Sequence, residues 1–139
     1  MNSLFEKAKR VAFSAIPASV SPANQYAKSY AAMLCLGVSA DFDFDVQEFN
    51  QAANFMEQDN VLTRENMTLR AVEYFRGYAN AIHEVMDGQS LDFPTVQTEM
   101  IYEVRQCPEE FKHHLRQVIA TLRSVSGPTE QQVFDRINL

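Results

Sequence analysis

The sequence predicts an all-α fold, a compact bundle of about seven helices in a single domain spanning residues 1–139. Three observations carry that prediction. Only four glycines and five prolines interrupt 139 residues, and Ala, Gln, Glu and Met are plentiful, which suits helices better than a turn-rich β fold. Apolar residues recur three and four apart over most of the chain, the period of a helix with one buried face. Caps, prolines and glycines punctuate those stretches where helices would start and stop. With 46% hydrophobic residues, the chain is long enough to bury a core without staples.

The first element covers residues 3–15 within an N-terminal amphipathic segment, 1–17. Leu4, Phe5, Val11 and Ala12 share helical spacing, Lys7, Lys9 and Arg10 lie elsewhere, and Pro17 ends it. A docking helix is the first expectation, and peripheral contact of residues 1–15 with an anionic membrane surface is the second. Next, Ser21 offers an N-cap with Pro22 at the first helical position, where its missing N–H costs nothing. Tyr26, Tyr30, Met33 and Gly37 then follow at helical spacing. A third helix, from about Val46 to Met56, turns Phe49, Ala52, Ala53 and Met56 inward, and "EQDN" closes it. The longest segment starts after Thr63 and reaches about Met86, with Val72, Phe75, Ala79, Ile82 and Met86 in one stripe. Asp87-Gly88 stops it, and Asp87 to Phe93 is the expected flexible connection. Pro94 opens a fifth helix carrying Val96, Met100, Ile101 and Val104. Pro108 opens a sixth with Phe111, Leu115, Val118, Ile119 and Leu122. "SGPTEQQVFDRINL" supplies a short seventh through Val133, Phe134 and Ile137.

Charge is unevenly spread. Residues 1–38 sum to +3, residues 39–62 to −6 with no Lys or Arg, and the remainder to −3, giving the net −6. An acidic surface repels phosphate backbones, so nucleic-acid binding is excluded as an expectation. The two cysteines, Cys35 and Cys107, make no disulfide framework. Together with the lack of a signal peptide they predict a reducing, cytoplasmic setting. No stretch is apolar for long enough to read as a membrane span.

The acidity peaks in "SADFDFDVQEFN", residues 39–50, where Asp41, Asp43 and Asp45 alternate with Phe42 and Phe44. Period-two alternation suggests a strand, but the stretch is short and flanked by helical patterns. An EF-hand needs Gly at position 6 and a bidentate Glu at position 12; Val46 and Ala52 stand there, so that reading fails. Asp45 followed three residues later by Glu48 forms a capping box at the entrance of the third helix, with both acids at the favourable end of its dipole. That local reading accounts for Asp45 and Glu48 and leaves Asp41 and Asp43 over.

A helix ending in small residues, an acidic turn of the form Asp-x-x-Phe-x-x-x-Glu (Asp41, Phe44, Glu48) and a further amphipathic helix together resemble the bacterial tellurite-resistance protein B (TerB) family. "MNSLFEKAKRVAFSA", "RAVEYFRGYANAIHEV" and "EVRQCPEEFKHHLRQVIATL" are similar to that family's N-terminal, middle and second-half helices. The resemblance implies a seven-helix domain of two related halves, each carrying an acidic turn. Setting Glu48 over Glu130 tests the idea of two degenerate helical repeats within the chain. Met33 falls on Leu115, Leu36 on Val118 and Phe55 on Ile137, while Phe49 falls on Gln131. Arg123, Val125 and Gly127 stand where Asp41, Asp43 and Asp45 align, so the second half lacks the cluster. The resemblance further implies a divalent-cation site, Ca²⁺ foremost, with Asp41, Asp43, Asp45 and Glu48 as ligands. Carboxylates crowded into one turn repel one another, and a hard cation relieves that. Phe42 occupies the position where the family usually has Gly, which puts the tightness of the turn in doubt.

No Gly-rich phosphate loop, nucleophile elbow, HExxH or Cys pair is present, and the expected class is a non-enzyme. His113 and His114 are adjacent and point about 100° apart on a helix, so they cannot chelate one ion together. His114 lies four residues after Glu110, a carboxylate–imidazole spacing without a third ligand. Phe44 is expected to staple the following helix. Phe42 is expected to be an exposed interaction anchor, with Tyr74, Tyr78 and Tyr102 as extensions of that surface or, more simply, as core. The leading expectation is a TerB-like binding module in tellurite resistance or stress response, near the inner face of the membrane, with a protein partner. The alternative is a diverged phage or mobile-element protein that binds a host protein without metal. Oligomeric state is not legible.

Overall fold

The computed structural model describes residues 21–39, 46–88 and 93–139, and among these it contains seven helices and no strand. They are α1 (Pro22–Ser39), α2 (Val46–Glu57), α3 (Asn60–Arg64), α4 (Thr68–Gly88), α5 (Phe93–Arg105), α6 (Glu109–Val125) and α7 (Pro128–Ile137). The predicted helix at residues 3–15 lies outside the described residues. No described helix is long and apolar enough to cross a membrane.

α1 is the axis of the bundle. It packs chiefly on α4 and α5 and also meets α2, α6 and α7. From Tyr26 to Leu36 every residue is buried, so this helix is surrounded rather than amphipathic. Its entrance is the predicted one: the Ser21 hydroxyl accepts from the Asn24 N–H at 3.1 Å. The polar groups it carries inward are satisfied by neighbours. Lys28 Nζ lies 2.8 Å from Glu103 Oε1 on α5, and the Ser29 hydroxyl donates to the Glu103 carbonyl at 2.9 Å. Asn24 Nδ2 donates to the Tyr74 hydroxyl of α4 at 2.9 Å. Burying polar groups without such partners would cost several kcal/mol each, order of magnitude.

The stripes expected on the outer helices face this axis. Ala52 and Met56, Phe75, Ala79 and Ile82, Val96, Met100, Ile101 and Val104, Phe111, Leu115 and Val118, and Val133, Phe134 and Ile137 all belong to one continuous core, with Val72, Ile119 and Leu122 packed against it; the side chains of Phe49 and Met86 lie outside the described residues. α4 buries more than its predicted stripe, because Ala71, Tyr74 and Tyr78 are also enclosed. Gly37 lets α7 approach α1 closely: a Cβ there would stand 2.7 Å from Phe134 Cζ.

One boundary differs from the expectation. The long segment read as starting after Thr63 starts at Thr68 as α4, and a short helix that was not expected, α3, precedes it across a break. Asn66 takes a left-handed conformation, φ 59°. The Asn66 N–H donates to the Thr63 carbonyl at 3.1 Å and the Met67 N–H to the Leu62 carbonyl at 2.8 Å. That is a Schellman ending with Asn in the glycine position. "EQDN" does close α2, but its Asp59 also opens α3, accepting from the Leu62 N–H.

Candidate functional site

The sequence singled out Asp41, Phe42, Asp43, Phe44 and Asp45, and all five lie outside the described residues, as does the side chain of Glu48. What is described is the frame that holds them. α1 ends at Ser39 and α2 starts at Val46, immediately after Asp45, which is the helix entrance that the capping-box reading requires.

At that end of the bundle lies an open cleft of about 420 Å³. One side is the corner that carries the acidic turn, through Leu34, Gly37 and Val38 of α1 and Gln51, Ala52 and Phe55 of α2. The other side is the α6–α7 corner, through Leu122, Val125, Ser126, Gly127, Glu130 and Phe134. The register that sets Glu48 over Glu130 also sets the first residue of α2, Val46, over the first residue of α7, Pro128. It further pairs Ala52 with Phe134, two residues that both line the cleft. The two corners thus line opposite sides of one cleft. In the α7 corner, Pro128 occupies the first turn behind Gly127, and Glu130 folds back so that its Oε2 lies 2.9 Å from the place of a Gly127 Cβ.

The cleft is apolar but not closed. Leu34, Ala52 and Phe134 are buried in its floor, whereas Val125 at the lip is 80% exposed. Glu130 is the single charged residue among its described lining. Arg123, one helical step before the lip, is engaged with Asp135 through a two-pronged contact at 2.7 and 3.3 Å. Of the tyrosines proposed as surface extensions, Tyr74 and Tyr78 are core, and only Tyr102 is exposed.

A second polar assembly was not foreseen. Asp59, 7% exposed, caps α3 through Oδ2, which accepts from the Leu62 N–H at 2.9 Å and from the Tyr26 hydroxyl at 3.0 Å. Its other oxygen lies 2.7 Å from Nε2 of His114 on α6. His114 therefore reaches across to the α2–α3 corner instead of back to Glu110 on its own helix. Burial, then the Asp59 carboxylate, holds the Tyr26 phenol far above its ordinary range. Cys107 stands nearby, its thiol pushed up to about 12 chiefly by burial and directed at the Pro108 carbonyl. A protonated thiol is a poor nucleophile. The groups in this cluster are engaged with one another, and the cluster acts as a clamp joining α1, α3 and α6. Among the described residues no group of three or more His, Cys, Asp or Glu is placed to hold a metal ion.

Compared with known proteins, the chain matches no family model, no curated protein and no solved structure.

Proposed function

We propose that this chain is a non-enzymatic, TerB-like binding module. It holds a protein partner in the cleft between its two helical corners, in a tellurite-resistance or stress-response setting at the cytoplasmic face of the membrane. The acidic turn beside the cleft takes a divalent cation, Ca²⁺ first, on Asp41, Asp43, Asp45 and Glu48. The observation that carries the reading is the cleft itself. It is an apolar groove left open at one end of the bundle, with Val125 bare at its lip and bordered by the helices that the acidic turn connects. Exposed apolar surface of this kind marks interaction sites. The residues quoted above for the TerB resemblance support the cellular setting and the cation, and residues 1–15 supply the membrane contact.

The cation has a direct test. A ligand that binds only the folded chain raises its melting temperature. Millimolar Ca²⁺ is expected to raise it here, and Asp41→Asn with Asp43→Asn to abolish the increment. Melting that is unchanged by Ca²⁺, Mg²⁺ or Zn²⁺ removes the cation from the proposal. That outcome favours the second reading, a phage or mobile-element protein that binds a host protein without metal. The second reading has its own support in the α6–α7 corner, where Arg123, Val125 and Gly127 replace the three aspartates.

A further inference from the structure

We infer that α7 is a hinged lid on the cleft: it opens about the Ser126–Gly127 corner while the rest of the bundle stays folded. A moving wall deepens the docking reading above. The opening is measured with no partner present, so either can fail without the other.

The hinge shows in the backbone. Ser126 and Gly127 are both extended, with ψ 157° and 175°, and Pro128 starts α7 directly behind them. Among the described residues no side chain caps the entrance of α7. Gln131 braces the corner instead, its Nε2 donating to the Ser126 carbonyl at 3.0 Å and the Arg123 carbonyl at 3.2 Å. The helix that leads into the corner is lightly embedded at this end: α6 buries Phe111, Leu115 and Val118, and none of its residues after Val118.

The lid has few apolar anchors. α7 buries Val133, Phe134 and Ile137, whereas α1 is buried without a break from Tyr26 to Leu36. The Phe134 ring rests on Gly37, where α1 offers backbone and no side chain. Phe134 lines the cleft and also a second hollow of about 280 Å³ between α6 and α7. A ring bordered by open space forfeits part of its dispersion contacts, so this central anchor holds less than an enclosed one would.

The polar ties of α7 can break at little cost. Arg105, the last residue of α5, donates from Nε to the Ile137 carbonyl at 2.8 Å, and Arg136 donates to Gln97 at 3.3 Å. Arg116 of α6 donates to the Leu139 carbonyl at 2.8 Å. The side chains of the Arg123–Asp135 pair are 50% and 56% exposed. Water replaces such bonds when they open, so each contributes little. The ties that hold α1 to α4 and α5 are different: Lys28 with Glu103, Ser29 with the Glu103 carbonyl and Asn24 with Tyr74 are all enclosed, and breaking them strands buried polar groups. A fold opens first where few apolar contacts coincide with exposed hydrogen bonds. Opening of α7 lifts Phe134 off Gly37 and removes the Glu130 and Phe134 wall, so the cleft widens along α1.

The test is amide hydrogen exchange of the full chain, read residue by residue by NMR in urea below the unfolding transition. Amides from Val133 to Ile137 are expected to be about tenfold or more less protected than those from Ala31 to Cys35. Their exchange is also expected to depend less on urea, because that slope follows the surface exposed on opening. Arg105→Ala removes a tie that is lost in the open and the unfolded chain alike, so it is expected to speed exchange in both helices. Asp59→Ala cuts a clamp that stays closed when the lid opens, so it is expected to speed exchange in α1 and leave α7 unchanged. Asp59→Asn gives the same comparison if the alanine variant does not fold. One shared protection and urea slope for both helices, or equal acceleration of both by the Asp59 variant, means that α7 opens only with the whole chain and overturns the lid. Exchange in α7 that ignores Arg105→Ala overturns an opening at that end.

Discussion

Asp59 shows how much one side chain can hold. Its carboxylate closes the start of α3, receives the Tyr26 hydroxyl from α1 and meets His114 from α6. Replacement by Ala removes a helix cap, worth about 1 kcal/mol, and leaves a buried phenol without its acceptor, a further cost of about 1–3 kcal/mol. Asp59→Ala is therefore expected to destabilise the chain by about 2–4 kcal/mol in denaturant unfolding. Asp59→Asn keeps a cap oxygen and is expected to cost less. Equal stability of Asp59→Ala and the parent would show that the clamp contributes nothing. None of this was legible in the sequence. Asp59 reads as one acid in a helix-ending "EQDN", and His114 reads as a neighbour of Glu110, because sequence spacing reveals only partners on the same helix. His114 and Asp59 are 55 residues apart.

At the scale of the element, the break between α3 and α4 depends on Asn66. Its left-handed backbone lets two N–H groups return to the last turn of α3 and turns the chain into α4. An L-residue with a Cβ pays about 1–2 kcal/mol in that conformation, Asn less than others and Gly none. Asn66→Ala is expected to lower stability by about 1 kcal/mol and Asn66→Gly to leave it unchanged or raise it slightly. A tolerated Asn66→Ala would mean that α3 and α4 merge without cost. The apolar stripes were legible because they follow local periodicity, and most of their described residues lie in the core or pack against it; Ala53 is only half-buried and is not among them. The break was missed because Asn-Met-Thr carries neither Gly nor Pro, the usual stop signals. The buried face of α4 is wider than the predicted stripe and takes in Ala71, Tyr74 and Tyr78, because a stripe shows which side is apolar and not how many neighbours enclose the helix.

For the whole molecule, burial sets the behaviour at high pH. The phenols of Tyr26, Tyr30, Tyr74 and Tyr78 are all raised, burial being the main cause in each. The Cys35 thiol is raised by burial as well, and Cys107 reaches about 12. These groups stay protonated in the folded chain, while the unfolded chain begins to release their protons near 9 for the thiols and 10 for the phenols. The folded state then binds more protons, so the contribution to stability is whole below about pH 9 and is lost as pH rises through and above that range. Melting temperature is expected to fall as pH rises above about 9, with most tyrosinate absorbance emerging only on unfolding. Tyrosinate from four phenols in a chain with its helical signal intact would contradict the enclosed core.

The sequence by itself determined the all-α class, the helix stripes and most helix ends, because each is set by residues within a turn or two of one another. It also marked residues 39–50 as the exceptional acidic stretch. Only the tertiary structure decided that the α1–α2 and α6–α7 corners face each other across an open apolar cleft, that α1 is enclosed on all sides, and that Asp59 is shared by three helices. Those facts depend on which distant surfaces meet. Periodicity along a helix says that a face must be covered, and says nothing about what covers it.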